Sequence, residues 1–166
     1  MMLPASAALW LVLFVTPIAL WVAWSDMKWM KIQNAAVLAL LAVYVIVGIV
    51  TLPWQSWAWG WVSFAVVLFA GFVLAQVGLV GAGDAKFAAA IAPFVAMGDL
   101  SLFLLLMVFV TTFSVISHRI AKRITMIRQL TPDWESWHRR DFPMGLALGP
   151  TLMFYLCLAT IFGSTG

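Results

Sequence analysis

Asp26 and Asp84 are the residues of this chain whose type and setting could do chemistry. Each stands at the edge of an apolar run, and Asp84 lies inside Gly81-Ala82-Gly83-Asp84-Ala85-Lys86. A carboxylate beside hydrocarbon is costly, about 2.5–3.5 kcal/mol for an Asp at the centre of an inserted helix. Two aspartates kept at such borders can form a hydrolytic pair. One acts as general base on a water, and the other, protonated, donates to the scissile carbonyl. Carboxylates sharing a site do not both ionise easily, so the pair holds one proton and titrates as a unit. Which aspartate is acid and which is base therefore stays open. Gly81 and Gly83 permit positive φ and keep side chains away from the approach to Asp84, leaving room for an extended peptide. Each acid also has a plain structural alternative. Asp84 suits a helix N-cap after a glycine-rich turn, and Asp26 suits a solvated charge close to Lys28.

The elements that must position this pair are helices in a membrane. The 166 residues are 65% hydrophobic and 9% charged, with a mean hydropathy of +1.08. Soluble domains carry roughly 25% charged residues, so a soluble enzyme is excluded on composition. Six apolar runs, about 5–24, 35–52, 57–77, 84–98, 100–118 and 143–162, predict an all-α polytopic membrane protein. We expect one six-transmembrane-helix bundle and a single domain over 1–166. The run 84–98 is short: 15 residues reach about 22 Å against a hydrocarbon core of about 30 Å. Its alanines and Pro93 predict a segment packed inside the bundle rather than facing lipid. The rival is one bent helix over 84–118, giving five crossings. With no Lys or Arg before Lys28, the basic region of a secretory signal is missing, and the first run is expected to be retained.

Charge orients the bundle. Segments 25–34, 78–86 and 119–142 hold 2, 1 and 6 of the 9 Lys/Arg, and the alternate connections hold none. By the positive-inside rule these three segments are cytoplasmic and both termini face outward, whereas five crossings would place six basic residues outside. Two crossings separate Asp26 from Asp84, so both acids sit at the cytoplasmic border at similar depth. The basic residues gather between apolar runs, which speaks for membrane orientation and against nucleic acid as a partner.

Other residues read as structural. The ten tryptophans, including Trp54, Trp57, Trp59 and Trp61 at the outer turn and Trp134 and Trp137 in the inner loop, predict headgroup anchors in the lipid bilayer. Segment 119–130, with Ile120, Ile124 and Ile127 on one side, predicts an interfacial amphipathic helix. Lys86 lies roughly 200° around a helix from Asp84, so it reads as an anchor for lipid phosphate rather than an ion-pair partner. Ser25 and Asn34 could hydrogen-bond near the pair. His118 and His138 are expected at the surface and Asp99 as a helix cap at the outer turn. With Cys157 as the only cysteine and no acid at ligand spacing from either histidine, no metal site and no cofactor is expected.

These residues resemble a known family. Gly81-Ala82-Gly83-Asp84-Ala85-Lys86 matches the GxGDxK pattern of the type IV prepilin peptidases. Asp26 with Ile32 and Asn34 is similar to their first motif, and Phe142-Pro143-Met144-Gly145 to their C-terminal Pro-x-Gly segment, with Met144 where an aromatic is frequent. The resemblance spans residues 26–147 in order. It implies a six-helix intramembrane aspartyl endopeptidase of the bacterial inner membrane, its active site facing the cytoplasm. It further implies Asp26 and Asp84 as the catalytic pair, supported by Gly81, Gly83 and Lys86. The implied substrate is a prepilin, whose short basic leader is removed ahead of its hydrophobic N-terminal helix. The paired CxxC insertion of longer members is missing, so peptidase activity without methyl transfer is expected, as in the short form serving Flp-type pili. Presenilin-type proteases share the GxGD, but here Ser25 precedes Asp26 and no Pro-Ala-Leu triplet occurs. The alternatives are a non-enzymatic scaffold of a pilus or secretion assembly and a small proton-coupled transporter component. The scaffold would tolerate Asn at both acidic positions. The transporter would place its acids nearer the midplane. Oligomeric state is not specified by the sequence.

Overall fold

Seven α-helices form from the apolar runs in the computed structural model, which describes residues 1–164. They are α1 (Ala5–Trp29), α2 (Asn34–Thr51, with a π turn at Tyr44–Gly48), α3 (Trp54–Gln76), α4 (Ala82–Ile91), α5 (Leu100–Arg123), α6 (Thr125–Leu130) and α7 (Gly145–Phe162). α1, α2, α3, α7 and Met97–Arg123, which contains α5, are each long and apolar enough to cross a membrane. Their outer faces carry Leu13, Val50, Phe69, Phe72 and Phe113 exposed, an apolar surface suited to lipid. The chain is a polytopic helical membrane protein.

Close approach holds the bundle together. The buried residues of α1 include Ala8, Leu11, Val15, Ala19, Val22 and Asp26, spaced three or four apart so that they share one face. This face packs along α7, where Gly145 and Gly149 sit four residues apart. A β-carbon on Gly149 would lie 2.6 Å from the Ala19 carbonyl oxygen, so the two backbones touch there without side chains between them. α5 packs on the other side of α7, α3 packs on α4, and α2 bridges α1 to α4.

The two ends of the bundle differ. At one end Asp99 accepts hydrogen bonds from the Met2 N–H (2.8 Å), the Leu3 N–H (3.2 Å) and the Tyr155 hydroxyl (3.0 Å). The Met1 amino group donates to the Phe162 carbonyl at the same end. Asp26, Asp84 and Gly145 lie together at the other end. Asp99 stands at the N-cap position of α5, as expected, but its buried carboxylate makes no capping bond there and serves instead as a tertiary clasp. Its neighbours are two backbone N–H groups brought from a point almost a hundred residues away, which no local pattern reveals.

Two other expectations change. The segment 119–130 is not one interfacial helix: α5 continues to Arg123, Ile124 breaks it, and α6 follows for six residues. The run 84–98 is α4 plus a 3₁₀ turn, Ala92–Phe94, ended where Pro93 and extended Val95 and Ala96 interrupt the helix. Its Ala85, Phe87, Ala89, Ala90, Ile91 and Phe94 are buried, so it packs inside the bundle as its small residues predict.

Candidate active site

Asp26 is the last inward member of the α1 stripe, so the packing that holds α1 against α7 also aims its carboxylate. Only 5% of Asp26 is exposed, and its Oδ2 accepts a 2.7 Å hydrogen bond from the Gly145 backbone N–H. That donor is free because Gly145 opens α7, where first-turn amides lack an intrahelical acceptor. A β-carbon on Gly145 would meet Asp26 Cβ at 2.9 Å, Val22 Cγ1 at 3.0 Å and Asp26 Oδ2 at 3.1 Å. Glycine is therefore required there by space. Just past Asp26 the helix stops at Met30, which is left-handed (φ 50°) and returns its N–H to the Asp26 carbonyl at 2.8 Å. The Ser25 hydroxyl, donating to the Val22 carbonyl and more weakly to that of Lys31, holds this reversal. Chain reversal brings Lys31 and Ile32 back toward the acid.

Asp84 is half-buried and is the third residue of α4, so it is not the N-cap; Gly81 is. Its carboxylate lies back over Gly81: a β-carbon there would be 2.7 Å from Asp84 Oδ2. The helix N-terminus favours negative charge at this place. Neither Gly81 nor Gly83 uses a positive φ, contrary to the expectation that they supply backbone freedom; Gly78 does, at 75°. A β-carbon on Gly81 would force the Asp84 carboxylate to shift, whereas one on Gly83 would come no nearer than 3.7 Å to its closest neighbour, Ile32 Cβ.

Asp26 and Asp84 line one cavity of about 530 Å³ at this end of the bundle. α1 and α4 do not pack along each other; α2 and α7 each touch both, and the cleft is the space left between. The two carboxylates are within Coulombic range, and no hydrogen bond joins them among the described residues. Such a gap suits a water and a peptide bond between two acids. Gly81 and Gly83 also line the cleft, but Lys86 is exposed and lies outside it, and Asn34 lies outside it as well.

Sequence reasoning gave Gly145 no role beyond the resemblance and did not place Arg139, Asp141, Phe142, Pro143 and Met144 in the wall of the cleft. The Gly145-x-x-x-Gly149 spacing is a signal that could have located the contact with α1. The wall residues belong to and follow the segment 119–142, read as a cytoplasmic connection with headgroup-anchoring tryptophans. Trp137 in that segment is buried, and His118 on α5 is buried rather than at the surface.

Fold and site together define a multi-pass helical membrane protein with two acids facing one cleft at one end of its bundle. The chain belongs to the type IV leader peptidase family, whose model matches residues 11–116. The match takes in both aspartates and the glycines between them but ends before Gly145. Membership makes the protein a peptidase. No curated protein and no solved structure matches it.

Proposed function

We propose that the protein is an intramembrane aspartyl endopeptidase in which Asp26 and Asp84 are the catalytic pair. The observation that carries this reading is that both acids, 58 positions apart in sequence, line a single cleft, with Asp26 fixed by the Gly145 N–H. One carboxylate takes a proton from a water placed between them. The water oxygen adds to the scissile carbonyl carbon while the other carboxyl gives its proton to the carbonyl oxygen. The resulting diol collapses with cleavage of the C–N bond, as the proton taken from water passes to the leaving nitrogen and a diol proton returns to the second carboxylate. The substrate is a small, Flp-like prepilin whose basic leader is cut off at the cytoplasmic face, ahead of its apolar helix. A lipid bilayer houses the reaction, and no metal or cofactor takes part.

Six crossings and outward termini belong to the same proposal. The segment from Asp84 to Asp99 runs from the cleft end to the end where Met1 and Phe162 meet. This supports counting α4 with its 3₁₀ turn as a short crossing. All nine Lys/Arg then lie at the cleft end, supporting a cytoplasmic cleft in the inner membrane. The test is leader removal from a co-expressed small prepilin by Asp26→Asn and Asp84→Asn. Each variant should insert normally and leave the precursor uncut; wild-type processing by either one refutes the pair.

A further inference from the structure

One face of α5 holds the segment that shapes the cleft. Ser114, His118 and Lys122 follow one another at four-residue spacing, so they share a face of the helix. Each engages the chain between α6 and α7 or the first turn of α7. The Ser114 hydroxyl donates to the Leu146 carbonyl (3.3 Å), and Lys122 Nζ donates to the Arg139 carbonyl (2.9 Å). Between them the His118 ring stacks on Trp137, centroids 5.3 Å apart and planes 15° from parallel, and meets Phe142 edge-on at 5.8 Å. Trp134 in turn stacks on Trp137, at 5.7 Å and 11°. Trp137 Nε1 is tied to the Thr131 carbonyl at 3.0 Å. The segment held in this way supplies Phe142, Pro143 and Met144 to the cleft wall and leads directly into Gly145, whose N–H fixes Asp26.

His118 is 6% exposed, and its Nε2 has no partner among the described residues. The contacts that its ring makes are aromatic, with Trp137 and Phe142. It is used as an aromatic plate. We propose that His118 is a positioning residue of the peptidase: through Trp137 and Phe142 it holds segment 137–146 so that Gly145 meets Asp26. The proposal rests on the peptidase reading above.

The experiment uses the full chain reconstituted in lipid with a leader-bearing small prepilin as substrate. His118→Ala should lower kcat about tenfold or more with KM little changed, because an acid misplaced by about 1 Å can cost a hundredfold. His118→Phe, which keeps the plate, should restore kcat to within about threefold of wild type, a rescue expected of stacking. Wild-type kcat in the Ala variant, an effect confined to KM, or a Phe variant as impaired as Ala overturns the proposal. A second readout needs no activity: a lone cysteine, Met144→Cys in a Cys157→Ser background, labelled by a water-soluble maleimide. His118→Ala should speed that labelling severalfold and His118→Phe should not; equal rates in all three refute the clamp. Should Asp84→Asn cleave like wild type, the two-aspartate reading fails while the labelling result still decides the clamp.

Discussion

Replacing Gly145 with alanine tests the coupling between helix packing and the candidate chemistry. The new methyl would lie 2.9 Å from Asp26 Cβ and 3.0 Å from Val22 Cγ1, closer than carbon atoms approach without strain. α7 cannot retreat freely from α1, because α5 also packs against it. The strain falls on the Asp26 side chain, the one movable neighbour that ends in a polar group. Inserting a methyl into a packed contact costs about 1–3 kcal/mol. Losing a hydrogen bond to a carboxylate costs about 1.5–3 kcal/mol. If the second loss is felt at Asp26 during reaction, kcat falls roughly 10- to 150-fold. The assay is prepilin cleavage by the reconstituted variant, with thermal unfolding measured in parallel. Val22→Ala, which removes the methyl at 3.0 Å, should recover part of the activity in the double variant, a coupling expected of touching residues. Wild-type cleavage by Gly145→Ala would refute the argument, since Asp26 would then not need the position it holds here.

The remaining predictions separate space from chemistry. Gly81→Ala should impair cleavage because its β-carbon falls 2.7 Å from Asp84 Oδ2. Gly83→Ala should raise the unfolding midpoint slightly, since the methyl fits and alanine favours a helix by about 0.8–1 kcal/mol over glycine; a destabilised variant contradicts the geometry. Asp99→Ala should lower stability by about 3 kcal/mol or more, because two backbone N–H groups and the Tyr155 hydroxyl lose their buried acceptor at about 1–3 kcal/mol each. Denaturant titration checks this, and an unchanged midpoint refutes the clasp. Leader removal by Asp26→Asn and Asp84→Asn, both expected to be lost, tests the acid pair itself.

Length and apolarity of its runs were enough to predict that this chain forms membrane-crossing helices, because a backbone in hydrocarbon must satisfy its own hydrogen bonds. The GxGD setting of Asp84 and the acid at position 26 were also legible, since a carboxylate at an apolar border is rare enough to be noticed in one dimension. Charge in the connections carried the expected orientation for the same reason. What each acid touches was not legible. Asp26 is set by an amide 119 residues away, and Asp99 by N–H groups 97 and 96 residues away. Gly81, read as flexible, proved to be a glycine of close approach and Gly83 did not, a distinction that depends on what stands opposite them. His118, placed at the surface by its polarity, is buried because Trp137 and Phe142 fold back onto it. Local patterns report what a residue costs to bury; only the folded chain decides which neighbours offset that cost.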